Sequence, residues 1–559
     1  MIEREEGRYK SRWTDREIRD SIENEIESLD ESEKKFLVKM LKEVGGARFD
    51  RENGVADGDL CLWNALRAVE YKAQPVDMET FLNDDYYLGE TGRTLYPCWA
   101  EDLKELFNGN YYEAIIGGAI GTGKCVARGT LVPSDLGIVP VEDIVGFGSG
   151  VNVKSHTGAE RNVYDVHTIG THDTIKVRTK FNYELEGRGD HRIIVLEDGR
   201  FKWKRLSDIC EGDFAVIDGG SDLWGGHCSI DEVEAELMGI WVGDGNFDKG
   251  NIHITIGLDN VDYTVHVMSL FREMGEFPKL RTYKNFRVDV CRKRLVERWK
   301  DFGCISGAHN KVVPDSILRS PPNVVKSFIR GLFDTDGTVS SGNVSFTTVS
   351  HDLAHQVQCI LLNMGILSSR KFKDNSYNGA WTVSIVGKRS MIRFEDEVGF
   401  SCNKKLKRLK ELNNYKNKSW RSNDRDIFYD IHSLIKKAWN KLPGKRKNLR
   451  SLFISMRGRQ NITRGTLETI EDIFISRGCS LPGVLSEMLD RNLFILPVEG
   501  KKHSRNFCYD LSVSGDESYV AGGFLSHNTT FAQIAVIRMV YEISCMVDPQ
   551  RSFGLEKGT

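Results

Sequence analysis

Gly118-Ala119-Ile120-Gly121-Thr122-Gly123-Lys124 follows an apolar run, Tyr111-Tyr112-Glu113-Ala114-Ile115-Ile116, and matches the phosphate-binding consensus G-x-x-x-x-G-K-[ST] up to its lysine. The next position calls for a hydroxyl that holds Mg²⁺ where a helix begins. Cys125 stands there instead, and the β-like run Val126-Ala127-Arg128-Gly129-Thr130-Leu131-Val132-Pro133 follows it. The missing part lies far downstream, where Ser526-His527-Asn528 leads into Thr529-Thr530-Phe531-Ala532-Gln533-Ile534-Ala535-Val536-Ile537, hydroxyls opening an amphipathic helix. Joining Lys124 to Thr529 rebuilds the loop, with Gly118, Gly123, Lys124 and Thr529 as its nucleotide contacts. Residues 125–528 therefore read as an insertion between a lysine and its threonine.

Composition bounds the rest. A chain of 559 residues has room for roughly three or four domains. Hydrophobic and charged fractions of 40% and 28% are those of ordinary globular protein. No run has the length of a membrane helix, so no membrane partner is expected. Twelve cysteines occur with no Cys-x-x-Cys pair, which argues against a zinc site or a disulfide framework and for reduced thiols in a cytoplasm.

Residues 1–110 are mainly helical, with the clearest helix from Glu31 to Val44, capped by Asp30 and ended by Gly45-Gly46. Together with the phosphate loop, this layout resembles the N-terminal ATPase part of a phage terminase large subunit, over residues 1–124 and 529–559. The resemblance implies an α/β P-loop fold, ATP and Mg²⁺ for the joined flanks, a place in a viral DNA-packaging motor, and a bacterial or phage-infected cell. No acidic strand for the second metal motif occurs up to Thr559, so the host ATPase is incomplete here.

From Cys125 the texture changes to short strands and turns, such as Arg192-Ile193-Ile194-Val195-Leu196 before the turn Glu197-Asp198-Gly199-Arg200. An insertion that opens with cysteine and closes with His-Asn before threonine resembles an intein. Residues 125–222 and 496–528 resemble the two parts of its all-β Hint horseshoe. The resemblance assigns roles residue by residue, none needing a cofactor. Cys125 attacks the Lys124 carbonyl, because a thioester is a good acyl donor. His191, in Gly189-Asp190-His191-Arg192, activates that amide. Asp510 aids the transfer and orients Cys125, Thr529 takes the acyl group, and Asn528 cyclises with help from His527. Two positions depart from the pattern: Arg188 stands where a threonine is usual, and Glu517 where a histidine often is.

A second insertion lies inside the first. Leu237-Met238-Gly239-Ile240-Trp241-Val242-Gly243-Asp244-Gly245 and Ile329-Arg330-Gly331-Leu332-Phe333-Asp334-Thr335-Asp336-Gly337 are two versions of one nine-residue signature. Each is followed by a strand candidate (Asn251–Ile256, Asn343–Thr348) and a helix ending in Met-Gly (Val265–Met274, Leu353–Met364), which makes an internal repeat. The pattern resembles LAGLIDADG homing endonucleases and implies an α+β fold with a pseudo-two-fold axis over residues 231–412. Small residues let the two helices touch, so Asp244 and Asp336 can share Mg²⁺ over the phosphates of double-stranded DNA. The expected target is the intein-free host gene. Lys311 matches the lysine that precedes the second signature helix. Its counterpart in the second repeat is Lys404 or Lys405, which the sequence does not separate.

Residues 403–459 carry 18 Lys/Arg against 4 Asp/Glu, interleaved with aromatics. The wider region 413–495 thus reads as basic and helical, a further phosphate-contacting surface or a solvated linker. The whole is expected to be multidomain: a β horseshoe interrupted by an endonuclease and flanked by P-loop ATPase fragments. The rival reading is a splicing-inactive chain that binds only ATP or DNA.

Overall fold

The computed structural model describes residues 80–81, 125–220, 222–227, 229–340, 342–374, 379–418, 427–428, 431–441, 462–481 and 483–527. Gly118, Gly123, Lys124, Asn528 and Thr529 lie outside the described residues, as do both flanks apart from Thr80 and Phe81. The chain divides into two compact units, Met1–Ile116 with Thr530–Thr559, and Gly117–Thr529.

Within the second unit, residues 126–218 and 493–527 build one twelve-stranded antiparallel sheet. Its spine is a ribbon of two long strands, Glu160–Thr179 and Leu493–Val513, paired from Val498↔Thr179 to Val513↔Val163. Val, Ile and Thr dominate the buried positions Val163, Thr174, Ile175, Val177 and Thr179, where β-branched side chains pack well on a pleated surface. The register slips between Cys508↔Gly170 and Tyr509↔Thr168, so one residue bulges, and Gly170 takes φ +97° to allow it. That bulge bends the ribbon opposite Cys508 and Tyr509, which pair on their other edge with Ala127 and Val126. The first and last strands of residues 125–527 thus belong to one sheet, although hundreds of residues separate them.

The second layer is the repeat. The helices Glu232–Asp244 and Pro322–Asp336 pack face to face. Each is followed by a four-stranded antiparallel sheet of the same order: residues 245–248, 251–256, 286–290 and 279–282 in the first, 337–339, 344–348, 380–385 and 368–373 in the second. A helix backs each sheet, Val261–Glu273 and His351–Asn363. Asp231 caps the first signature helix by accepting from the Glu234 N–H, and Pro322 opens the second with φ already set.

A third apolar cluster lies on the other face of the large sheet. Ile431, with Ile435 and Trp439 of the helix that follows it, and Leu467, Ile470 and Phe474 of another helix pack on Ile194, Leu196, Val216, Val520 and Leu525. The charge-rich segment therefore hides an apolar face that covers the sheet, with Lys436 and Lys437 turned to solvent. Arg464 is buried there, donates to the Met488 and Leu493 carbonyls, and lies over the rings of Phe428 and Phe494.

Candidate functional sites

Two clusters gather the residues that carry chemistry. The first lies at the C-terminal ends of the signature helices. A Cβ on Gly239 would sit 2.0 Å from the Phe328 carbonyl oxygen, and one on Gly331 would sit 2.1 Å from that of Glu236. The contacts are reciprocal, as a two-fold relation requires, and only glycine leaves room for backbone against backbone. At Gly243 the same close approach meets Thr335, whose hydroxyl donates back to the Leu332 carbonyl.

This packing brings Asp244, exposed, beside Asp336, half-buried. Enclosure by the helix ends pushes Asp336 up to about 6, and the neighbouring Asp244 carboxylate adds to it; Lys311 and Lys405 pull the other way. Asp244, although reached by solvent, shifts in the same direction for the same first reason. Each helix end is closed by one lysine. Lys311 Nζ donates to the carbonyls of Gly243 (2.9 Å) and Gly245 (3.1 Å), and Lys405 Nζ to those of Asp334 (2.6 Å), Phe333 and Thr335 (both 3.1 Å). Lys404, by contrast, is exposed and pairs with Asp259. Lys405 is therefore the counterpart of Lys311.

Different anchors hold the two lysines. Ser350 Oγ donates to the Lys311 carbonyl, while the buried Asp334 carboxylate accepts from the N–H groups of Ser401 and Cys402 and so fixes the turn before Lys405. Burial pushes Asp334 up to about 7, against those two hydrogen bonds. Among the described residues no group of three or more His, Cys, Asp or Glu could hold a metal, so two carboxylates are what this site offers a cation.

The second cluster surrounds Cys125, which is buried and unoxidised. Its carbonyl accepts from the Arg188 N–H (3.2 Å), and the Arg188 carbonyl accepts from the His191 N–H (3.0 Å). Gly187 is why these backbones can approach. A Cβ there would lie 2.6 Å from the Cys125 oxygen and 3.4 Å from His191 Cβ and Cγ. A hydrogen bond with the Cys508 thiol, then burial, then Asp510 push the Cys125 thiol up, and Arg188 pulls it down. Arg188 thus meets Cys125 in two ways: its backbone N–H binds the Cys125 carbonyl, and its side chain supplies the nearby positive charge. Asp510 is buried on the long ribbon strand and accepts from the Leu511 N–H. His527 ends the last described strand, nearly buried, with its ring edge-on to Trp203 at 4.6 Å. The strand Phe524–His527 pairs with the strand that begins just after His191, at Ser526↔Ile193.

Sequence reasoning missed Cys508 and Trp203, and left Lys405 undecided. Nothing local marks them, because each acquires its place through a partner far away in the chain.

Comparison with known proteins bears on the second half of the helix-and-sheet repeat. Residues 323–399 match the family model described as LAGLIDADG-like domain, so the chain carries such a domain. Its relatives bear unrelated names. The replication factor C small subunits of Methanocaldococcus jannaschii and Thermococcus kodakarensis are 26% and 27% identical, over 53% and 56% of this chain. Elongation factor 2 of Methanopyrus kandleri is 27% identical over 53%. The chain spans only 17% and 35% of the two replication factor proteins and 23% of the elongation factor. Similar solved structures include I-DmoI in complex with DNA and Ca, with TM-score 0.27 and 17% identity over 32% of this chain and 97% of that one. Full-length DUF199/WhiA from Thermatoga maritima gives TM-score 0.25 and 11% identity over 47% of this chain and 89% of that one.

Proposed function

We propose that residues 125–528 are an intein that excises itself and joins its flanks, and that its nested LAGLIDADG-like domain cuts double-stranded DNA. The observation that carries the reading is that the strand after Cys125 and the strand ending at His527 belong to one sheet. Cys125 and His527, at opposite ends of the insertion, flank or end strands of one sheet, with His191 between them. Closing that gap restores a phosphate loop from Gly118 to Thr529. A compact unit bounded by Gly117 and Thr529 supports the same division, as do relatives with unrelated names that share a segment about half this chain's length.

In this reaction the Cys125 thiol, protonated at rest, gives up its proton and its sulfur attacks the Lys124 carbonyl. The C–N bond breaks, the amine of Cys125 takes a proton with help from His191, and a thioester remains. Thr529 Oγ1 displaces the sulfur. The Asn528 side-chain amide attacks its own carbonyl, releases the insertion as a cyclic imide, and the ester rearranges to an amide.

For the endonuclease, Asp244 and Asp336 would hold the divalent cation, Mg²⁺, and their mutual repulsion is what a cation relieves. Such a cation polarises phosphate and lowers the pKa of water. Lys311 and Lys405 hold the two helix ends in register and add positive charge beside the phosphates. The target is the host gene lacking the insertion. The joined flanks would use ATP and Mg²⁺ in a terminase-like packaging motor of a bacterial or phage-infected cytoplasm. Among the described residues no helix is long and apolar enough to cross a membrane.

Mass spectrometry of the expressed chain tests the splicing half. The expected products are residues 1–124 joined to 529–559, and free 125–528. Cys125→Ala with Asn528→Ala should leave only full-length chain, and processing by that double variant would refute the proposal.

A further inference from the structure

Glu236 is a buried carboxylate in the first signature helix, and its partners come from three other elements. Its Oε1 accepts from His266 Nε2 (2.7 Å), on the helix behind the first sheet, and from Ser401 Oγ (2.8 Å). Arg330 Nη1, of the second signature helix, lies 3.5 Å from Oε2. Taking a carboxylate out of water is costly unless such partners meet it, so a glutamate at this helix crossing needs a cause.

The cause lies in the turn before Lys405. Ser401 is held a second time, because its N–H donates to the Asp334 carboxylate (3.0 Å), as does that of Cys402 (3.0 Å). Arg330 Nε donates to the Val398 carbonyl (2.8 Å) just upstream. The Cys402 carbonyl then accepts from the N–H groups of Lys405 (3.0 Å) and Leu406 (2.9 Å), opening the helix Asn403–Lys418. Three side chains of the signature helices therefore grip residues 398–402, and Lys405 leaves from that grip to reach the carbonyls of Phe333, Asp334 and Thr335.

The grip is one-sided. Laying one signature on the other places Phe328 at the position of Glu236, Met238 at that of Arg330 and Val242 at that of Asp334. All three are buried and apolar, so the Lys311 half has no equivalent hold. Lys311 is fixed instead through its carbonyl by Ser350, outside both signature helices.

We propose that the Ser401 hydroxyl, held by Glu236, is a positioning device for Lys405 alone, and so governs cleavage of only one of the two DNA strands. This rests on the endonuclease reading. A duplex relates its strands by a local dyad, so a protein with a pseudo-two-fold axis sets one half against each strand. The Glu236–Ser401 bond ties the turn to the first helix while Asp334 ties it to the second, which fixes Lys405 against the helix end. Lys311 shares neither the turn nor the bond, and the strand it serves is indifferent to them.

The test reads the strands separately. The splicing-blocked Cys125→Ala/Asn528→Ala chain is given Mg²⁺ and a duplex carrying the joined Lys124/Thr529 codons, each strand labelled at its own end. Ser401→Ala should slow one strand on the order of 10-fold and leave the other within about twofold, so nicked duplex accumulates. The slowed strand should be the one that Lys405→Met slows. Ser401→Thr, which keeps the hydroxyl, should restore the parent's ratio of rates. An unchanged ratio in Ser401→Ala overturns the role, including an equal loss on both strands, which is what a merely structural serine gives. Slowing of the strand that Lys405→Met spares, or a threonine variant as lopsided as the alanine one, overturns it too. If the parent cuts neither strand, the endonuclease reading itself falls and this role with it.

Discussion

Gly331→Ala puts the geometry of the helix pair to a quantitative test. In an exposed helix this change stabilises by about 1 kcal/mol, because alanine loses less backbone freedom on folding. Here the new Cβ would lie 2.1 Å from the Glu236 oxygen and 3.0 Å from the Ile240 nitrogen. Both are backbone atoms of the facing helix, so no side chain can swing aside and the helices must part by more than about 1 Å to reach ordinary contact. Overpacking of this kind costs about 1–3 kcal/mol, and the rigid obstacle puts it at the upper end. The net effect is a loss of about 2 kcal/mol, or roughly 4–8 °C in melting temperature for a domain of this size. The function should suffer more, because a displacement near 1 Å between reacting groups costs about 100-fold in rate. Calorimetry on the Cys125→Ala/Asn528→Ala chain measures the first effect without a mixture of products. Cleavage of a plasmid carrying the joined Lys124/Thr529 codons measures the second. A variant that melts at or above the parent temperature would refute the backbone contact, whatever its activity.

Other expectations follow from the same two clusters. Asp336 sits at about 6 in the folded protein, raised above an ordinary carboxylate. Its contribution to stability is therefore present at pH values below the ordinary carboxylate range and lost as pH rises through about 6; Mg²⁺ needs the ionised form, so cleavage at limiting Mg²⁺ should climb over that same interval. A cleavage rate flat from pH 5 to 7 at limiting Mg²⁺ would contradict this. Lys405→Met should slow cutting by about 10–100-fold, whereas Lys404→Met should change it less than about twofold, since only Lys405 closes a helix end. Gly187→Ala should cut thiol-induced cleavage at residue 124 by at least about tenfold, because its Cβ would displace the Cys125 carbonyl; an unaffected rate would remove the close approach from the mechanism.

What the sequence made legible is what chemistry or close packing forces on residue type. Glycines where helix backbones touch admit few substitutes, so Gly239 and Gly331 stand out one by one, and each lies against the facing backbone. The signature aspartates were legible for the same reason, and their repeat gave the paired layout. Lys404 and Lys405 were not separable, because which one points at the Asp334 carbonyl depends on the phase of a helix start, set by the Asp334 carboxylate gripping Ser401 and Cys402. Cys508 was invisible because its meaning comes from strands paired across hundreds of residues. Residues 431–441 and 464–475 misled in another way. The basic count over residues 403–459 pointed to a surface, while Ile431, Ile435, Trp439 and Phe474 pack on the sheet.

The two chemistries occupy separate centres, yet the elements that bear them are not loosely tethered. Leu131 and Ile138 of the large sheet lie in the core of the helix-and-sheet repeat, and Leu362, Leu367 and Val386 of the repeat lie in the core of the large sheet. Gly137 touches the Leu318 carbonyl closely enough to forbid any side chain, and Gln358 and Arg370 reach the Phe181 and Asn182 carbonyls. Burying one large apolar side chain is worth about 1.5–3 kcal/mol, so exposing these five would destabilise the shared core by several times that. The sheet has thus come to use its insert as part of its own core. Under the proposed function, losing the two aspartates would remove cutting alone, whereas losing this interface would take splicing with it. Under that reading, splicing depends on the repeat's packing residues and not on Asp244 or Asp336.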